Sequence, residues 1–236
     1  MELERCDSAQ AEGSDRAGAG LSCTDIVPTH NSLEGLRIGK LASTFSKLSL
    51  SETQRVITQY EQLYHASMLG SPRIDLLLTL IQFNVFRALV KNTSALGFTM
   101  AWMDAEAESP FNAPNVGYDI NLSCPVHLRP TALQRAIEHH PWIDLFPIPE
   151  LRDNILRLGD SYDDTPLCIQ MLEFRDIPHE KTGLIAWGDP WDPCGWEISE
   201  EFLRKWPWVV SGCHELFRST NLWRQRRGEN KLFVGY

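Results

Sequence analysis

Tryptophan is concentrated in one part of this 236-residue chain. Six of its eight tryptophans fall within 37 consecutive positions, namely Trp187, Trp191, Trp196, Trp206, Trp208 and Trp223. Each packed indole buries roughly 150–250 Å², so a few of them can build the core of a small domain or line a groove for another molecule. The sequence therefore predicts a compact, Trp-rich helical domain over residues 129–236, and we attribute most of the cluster to core packing.

The first half of the chain divides into a tail, a helical pair and a linker. Residues 1–47 are rich in small and charged residues and have no apolar period, which is typical of a disordered tail. Residues 48–102 predict two helices, the first with a capping box that starts at Ser51 and the second beginning at Pro72. Residues 103–128 contain several prolines and no sustained period, which indicates a linker.

The second half carries dense helix signals. Residues that cap a first turn or suit its first position are Thr131 with Gln134, Pro149, Ser199, Pro207 and Thr220 or Asn221. Residues 183–187 form a short apolar run that predicts one extended segment, and the Asp-Pro turns after it exclude regular structure. The predicted fold class is all-α, predominantly helical, with that one extended segment as its exception.

Net charge and cysteine spacing restrict the function classes. The formal net charge is −9, and the six cysteines have no repeated spacing. Broad capture of nucleic acid needs a basic face, so we expect no direct DNA binding. The apolar run at 74–90 is too short and too polar to cross a membrane. Scattered thiols without ligand spacing predict a nuclear or cytoplasmic protein with no metal and no cofactor.

Few residues are candidates for catalysis. Asp189 and Asp192 could act as paired carboxylates in hydrolysis, but an Asx turn is the simpler explanation. His140 precedes a proline and is more typical of a helix end than of a proton shuttle. Cys213 is expected to be a buried thiol. We therefore favour a protein that is not an enzyme.

The segment 218–231 is locally basic. It could contact phosphate or serve as a nuclear import signal. For Arg224 we favour a different role, in which it stacks on a tryptophan or pairs with Asp189, Asp192 or Glu197. The segment then forms a solvated helix face.

Several short motifs follow one another along the chain. They are FNVFRA at 83–88, IDLFP at 143–147, PELRDN at 149–154, IAWGDPWDP at 185–193, FLRKW at 202–206 and STNLWR at 219–224. In this order they resemble a fungal domain of unknown function, number 3425, over roughly residues 70–230. In many fungal regulators that domain follows a bZIP region, so the resemblance implies a role in transcriptional regulation.

A bZIP region reads DNA through clustered Lys and Arg followed by leucines every seven residues. Residues 1–50 contain only widely spaced basic residues, so protein partners, with bZIP or other transcription regulators as the expected class, would supply the DNA contact. The first function hypothesis is a non-enzymatic regulatory or interaction protein that controls a secondary metabolic gene set. The alternative is an enzyme or small-molecule sensor of a fungal biosynthetic pathway that uses the Trp-rich pocket. The candidate ligand- or partner-binding residues are Trp187, Asp189, Trp191, Asp192, Trp196, Trp206, Asn221, Trp223, Arg224 and His140.

Overall fold

The computed structural model describes residues 48–68, 74–112, 124–159, 165–172 and 183–236. The predicted disordered tail at 1–47 lies outside the described residues. So do the predicted helix start at Pro72 and the middle of the predicted linker.

The described part of the chain is mostly helical and contains one small sheet. Its α-helices are α1 (Leu50–Met68), α2 (Ile74–Leu96), α3 (Ala132–Ala136), α4 (Pro149–Leu156), α5 (Thr165–Leu172), α6 (Glu200–Lys205) and α7 (His214–Arg226). Short 3-10 turns lie at Met100–Met103, Pro110–Asn112, Val126–Leu128, Pro141–Leu145 and Pro193–Gly195. The prediction of a predominantly helical fold is confirmed.

The sheet departs from a strictly all-α fold. Strands β1 (Leu184–Ala186) and β2 (Trp196–Ile198) pair antiparallel, with Ile185 opposite Glu197. The extended run at 183–187 was predicted, and it contains β1. Its partner strand was not predicted, because three residues are too few to show the alternating pattern of a half-buried strand.

Local capping signals were read correctly at Thr131 and Ser199 and wrongly at Ser51. Thr131 and Gln134 form the predicted capping box, with reciprocal bonds of 3.2 and 2.9 Å. The Ser199 hydroxyl accepts from the Phe202 amide at 3.1 Å, as predicted. The capping box predicted to start at Ser51 is wrong: the pair is Ser49 with the residue three positions later, Glu52, whose carboxylate accepts from the Ser49 amide at 2.8 Å.

The last helix also differs from the prediction. We expected a helix from Pro207 and a separate short helix capped by Thr220 or Asn221. The structure has turns at 207–213 and then the single helix α7. Thr220 and Asn221 lie within α7, and their side chains bond to other segments instead of capping a helix end.

A chain of aromatic rings crosses the core. Trp142 meets Phe146 edge to face, with centroids 6.1 Å apart, and Phe146 meets Trp196 in the same manner at 5.7 Å. All three residues are almost completely buried. Such edge-to-face pairs add about 0.5–1.5 kcal/mol each beyond the burial of their surface.

The turn between the two strands is fixed to α2. The Pro190 carbonyl accepts from the Asn92 amide of α2 at 2.7 Å and from the Trp196 indole at 3.0 Å. Asn92 also donates to the Leu145 carbonyl at 2.8 Å. One continuous core therefore extends from α1, through α2, to α7, across the boundaries predicted between the helical pair, the linker and the Trp-rich domain.

A buried polar network ties the predicted linker to the rest of the core. Asp144 accepts from Ser109 Oγ at 2.6 Å, from Gln134 Nε2 at 2.5 Å and from His139 Nε2 at 2.8 Å. His139 Nδ1 lies 2.7 Å from the carbonyl of Ile137, which can only accept. Both ring nitrogens of His139 therefore donate, which is the geometry of an imidazolium cation.

Arg152 of α4 is a second buried cation. Its guanidinium donates to the carbonyls of His127, at 3.0 Å, and Arg129, at 3.1 Å. Burial lowers the pKa of Arg152 to about 10, although the charge of Asp144 opposes the shift. The side chain therefore holds the end of the predicted linker on α4 while it stays charged at neutral pH.

In the part of the chain that the structure describes, no helix combines the length and the apolar character that crossing a bilayer requires.

Gly195 should be sensitive to any added side chain. A Cβ there would lie 2.5 Å from the carbonyl oxygen of Asp189, which is backbone and cannot easily move. We expect Gly195→Ala to lower the free energy of unfolding by about 3 kcal/mol. Gly97→Ala is the control, because Gly97 has a positive φ of 70° but an open surrounding, and should cost about 1 kcal/mol. Equal losses in urea denaturation of the two variants would contradict the close approach.

His139 should make stability depend on pH. Burial lowers the pKa of His139, but the hydrogen bond and charge of Asp144, with the Ile137 carbonyl, outweigh burial and raise it. The contribution of His139 to the free energy of unfolding should be complete below the pKa of about 6.5 that a histidine has in the unfolded chain. It should be lost as the pH rises through the higher pKa of the folded state. Urea denaturation from pH 5.5 to 9 should show the difference in unfolding free energy between wild type and His139→Gln shrinking. A difference that stays constant would exclude this role.

Candidate functional site

Helix α7 is held on the hairpin by its own polar side chains. Ser219 Oγ lies 2.8 Å from the Cys194 carbonyl and 2.6 Å from the Trp196 carbonyl. The Ile198 amide of β2 donates to Thr220 Oγ1 at 3.0 Å. Because these bonds join backbone to short, buried side chains, they fix the position of α7 closely against the sheet.

This docking assembles a cluster of tryptophan and arginine side chains at the protein surface. We call it the tryptophan–arginine cluster and define it by Trp187, Glu197, Trp223, Arg226 and Arg227. The rings of Trp187 and Trp223 are stacked, with centroids 5.9 Å apart and planes 30° apart. The Arg226 guanidinium lies 4.6 Å from the Trp223 ring centre, and that of Arg227 lies 5.3 Å from Trp187.

Glu197 is the buried anion that organises the cluster. Its side chain is 3% exposed. It accepts from the Trp187 indole at 2.6 Å and from two nitrogens of Arg227 at 2.7 and 2.6 Å. The hydrogen bonds of Glu197 and then Glu229 raise the pKa of Arg227 above its usual value. A bidentate carboxylate–guanidinium pair fixes orientation as well as distance, so both indoles have defined positions.

The cluster is also anchored from the opposite side. The Trp223 indole donates to the Cys194 carbonyl at 2.9 Å. Gly188, in the turn that follows Trp187, lies close to the Trp223 ring: a Cβ at this position would be 3.9 Å from it. Trp187 and Trp223 are both half-buried, so part of each ring is available to another molecule.

The structure places three other predicted site residues on the turn between the strands. Trp191 is 39% exposed and is therefore accessible. The Asp192 carboxylate accepts from the Cys194 amide at 2.8 Å, which confirms the predicted Asx turn. Asp189 is exposed on the same turn.

Three predicted site residues are not accessible. Trp196 and Trp206 are buried, and their indoles donate to the Pro190 carbonyl and the Gln170 side chain. Asn221 is also buried and bonds to residues 232–236. These residues were selected by type, and the first two serve the core instead of lining a surface pocket.

The expected surroundings of His140 and Arg224 need correction. His140 begins the 3-10 turn at Pro141–Leu145 and does not end a helix: its Nδ1 accepts from the Trp142 amide at 3.2 Å. Arg224 pairs with Glu200 at 2.8 Å and Glu229 at 3.6 Å, and not with the acidic residues expected. The expected pairing with Glu197 belongs to Arg227, three residues further along the chain and just past the end of α7.

The sequence reading missed Glu197, Arg226 and Arg227 as site residues. Glu197 and Arg227 are 30 positions apart, and only the packing of α7 on β2 brings them together. The spacing of Trp223 and Arg226 on one helix was an available signal, because residues three apart lie on the same face.

The arrangement of polar groups does not favour nucleophilic catalysis. Ser109, His139 and Asp144 have the residue types of a catalytic triad, but Ser109 donates to the carboxylate and not to the histidine. Cys213 is buried, and desolvation raises the pKa of its thiol to about 12, so it stays protonated. Within the described ranges, no group of three or more His, Cys, Asp or Glu could hold a metal ion.

Glu197→Gln should loosen the cluster. In the variant the Arg227 charge loses its buried anionic partner. The neutral glutamine amide then faces two donor side chains, Trp187 and Arg227, in place of a carboxylate. Because Arg227 is one-third exposed, water compensates in part, and we expect a loss of about 2 kcal/mol in chemical denaturation. Glu229→Gln is the matched control, since Glu229 pairs with the same arginine from an exposed position and should cost less than about 1 kcal/mol. Similar losses in the two variants would mean that Glu197 does not organise the cluster.

Comparison with known proteins agrees with the motifs. No curated protein and no solved structure matches the chain. A family model does match, from a position before the Val126–Leu128 turn to the start of α7, so that it includes both strands. The resemblance inferred from the sequence is therefore confirmed over residues 117–216, which match the family described as Domain of unknown function (DUF3425).

Proposed function

We propose that this chain is a non-enzymatic interaction protein that contacts other regulatory proteins through the tryptophan–arginine cluster and the neighbouring Trp191. The observation that carries the proposal is the pair of half-buried, stacked indoles with a guanidinium on each, held in place by a buried carboxylate. Trp and Arg are the residue types that contribute most to the binding energy of protein interfaces.

Preorganisation makes this surface suitable for binding. Ordering a flexible side chain at an interface costs roughly 0.5–1.5 kcal/mol. The Glu197 carboxylate and the Cys194 carbonyl already fix the indole nitrogens of Trp187 and Trp223. A partner that packs on these rings therefore loses little of its binding energy to ordering them.

Asp192 and His140, which were candidates for catalysis, are hydrogen-bonded within the protein, and this supports a role other than catalysis. Asp192 holds its own turn through the Cys194 amide. His140 uses both ring nitrogens, one for the Trp142 amide and the other for the Asp104 carbonyl at 2.8 Å. The indoles of Trp196 and Trp206, which a Trp-rich substrate pocket would use, are in the core.

The expected partners are proteins that bind DNA themselves, with bZIP or other transcription regulators as the class that the family resemblance suggests. The net charge of −9 is unfavourable for unaided DNA binding. Arg224 of α7 and Arg227, just after the helix, are paired with glutamates. On this proposal the protein acts in the nucleus or in transit to it, on a metabolic gene set.

Affinity capture from nuclear extract of the source cells tests the proposal. The double variant Trp191→Ala/Arg226→Ala removes exposed parts of the surface without touching Glu197, and it should reduce recovery of the partner at least about 10-fold. The matched control is Arg157→Ala/Leu158→Ala, an exposed arginine and leucine at the end of α4, and it should retain the partner.

Two results would contradict the proposal. One is equal recovery of the same partner by both double variants. The other is turnover of a metabolite by the isolated protein that Asp189→Asn abolishes while partner recovery is unchanged. A duplex of defined sequence should be retained only when the partner is present.

A further inference from the structure

A second face of α7 contacts the chain's own last residues. His214, Phe217, Asn221 and Arg224 lie at spacings of three, four and three, which places them on one stripe of the helix. Residues 229–236 run back along this stripe in the opposite direction. Asn230 is hydrogen-bonded to Arg224, and Phe233 to Asn221. The rings of Phe233 and Tyr236 stack on Phe217 and His214, respectively.

Asn221 binds the backbone of this segment with its full hydrogen-bonding capacity. Its amide nitrogen donates to the carbonyls of Phe233, at 2.8 Å, and Tyr236, at 3.1 Å. Its oxygen accepts from the amides of Leu232, at 2.9 Å, and Phe233, at 3.1 Å. A side-chain amide offers two donors and two acceptor positions, and all four are used on main-chain groups. Because this contact uses main-chain groups, it does not depend on the side chains of the segment.

The aromatic residues supply the side-chain selectivity. Phe233 stacks on Phe217 with centroids 4.2 Å apart. Tyr236 stacks on His214 at 5.5 Å and meets the Phe217 ring edge to face at 5.3 Å. The Tyr236 hydroxyl also lies 2.7 Å from His214 Nδ1. The stripe therefore selects two aromatic residues three positions apart.

A glycine is required between the two aromatics. Gly235 has φ of +92°, a conformation that L side chains rarely adopt, and it turns the chain so that Tyr236 returns to the helix. The pattern that fits is therefore aromatic, any residue, glycine, aromatic. Val234 occupies the unspecified position and is 96% exposed.

The segment leaves much of its surface open to solvent. All of residues 228–236 are exposed or half-exposed. Segments with little buried surface open locally at low free-energy cost. Gly228, with φ of +76°, reverses the chain just after α7. Its amide donates to the Gln225 carbonyl, and the Arg227 amide donates to the Arg224 carbonyl, so α7 can remain intact when the segment leaves.

We propose that the stripe His214, Phe217, Asn221 and Arg224 is a peptide-binding site. In the free protein the chain's own residues 229–236 occupy it. A partner protein's segment of the pattern aromatic-x-Gly-aromatic takes their place. The segment contacts the tryptophan–arginine cluster at Glu229, which bonds to Arg227. The stripe itself shares no residue with the cluster, so failure of this site would leave the function proposed above standing.

Fluorescence anisotropy of a labelled peptide with the sequence ENKLFVGY, residues 229–236, tests the site on the full chain. The variant Phe233→Ala/Tyr236→Ala changes no residue of α7 and weakens the internal competitor. It should bind the peptide at least about 10-fold more tightly than wild type does, because a tethered segment competes at millimolar effective concentration. If that variant is unfolded by circular dichroism, Tyr236→Ala alone provides the same comparison.

Peptide variants test the recognition without risk to folding. N-methylation of the amide that corresponds to Phe233 removes a donor to Asn221, and replacement of both aromatics by alanine removes the stacking. Each should weaken binding at least about 10-fold. The site would be disproved if the methylated peptide bound as well as the parent peptide, or if the folded tail variant bound no more tightly than wild type. A dimer in light scattering that depends on Tyr236 would make a second copy the occupant and would overturn the assignment to a partner.

Discussion

The structure depends on the position of a short hairpin between two helices. On one side, Asn92 of α2 and the Trp196 indole share the Pro190 carbonyl, which fixes the turn. On the other side, Ser219 and Thr220 of α7 bond to the backbone of β2 and the residues before it. Two strands of three residues have little stability alone. Here the flanking helices supply the packing that the sheet lacks, and the sheet in turn determines where α7 lies.

The surface features follow from that position. Once α7 is docked, Arg227 reaches the buried carboxylate of Glu197, and Trp223 stacks on Trp187. The same helix presents the opposite stripe to residues 229–236, where Asn221 binds backbone groups only. One helix therefore carries a preorganised aromatic surface and a peptide-like contact, and both are suited to protein recognition.

The sequence could predict hydrogen bonds between residues that are close along the chain. The capping residues Thr131 and Ser199 act on amides within three positions, so their signals are complete in a short window. The reading failed at Thr220 and Asn221, which have the types of capping residues but are used for long-range bonds. The pairs Asn92 with Pro190 and Glu197 with Arg227 join residues 98 and 30 positions apart. No local pattern distinguishes such partners from other polar residues, and Trp196 and Trp206 could not be separated from the accessible tryptophans for the same reason.

A partner bound as proposed contacts the accessible tryptophans and not the buried ones, and the indole N–H signals in a nuclear magnetic resonance spectrum report on each tryptophan separately. When the captured partner is added to the isotope-labelled protein, the signals of Trp187, Trp191 and Trp223 should shift or broaden. Those of the buried Trp142 and Trp196 should remain in place. Unchanged signals from the first three residues in a saturated complex would show that the partner binds elsewhere and would contradict the account.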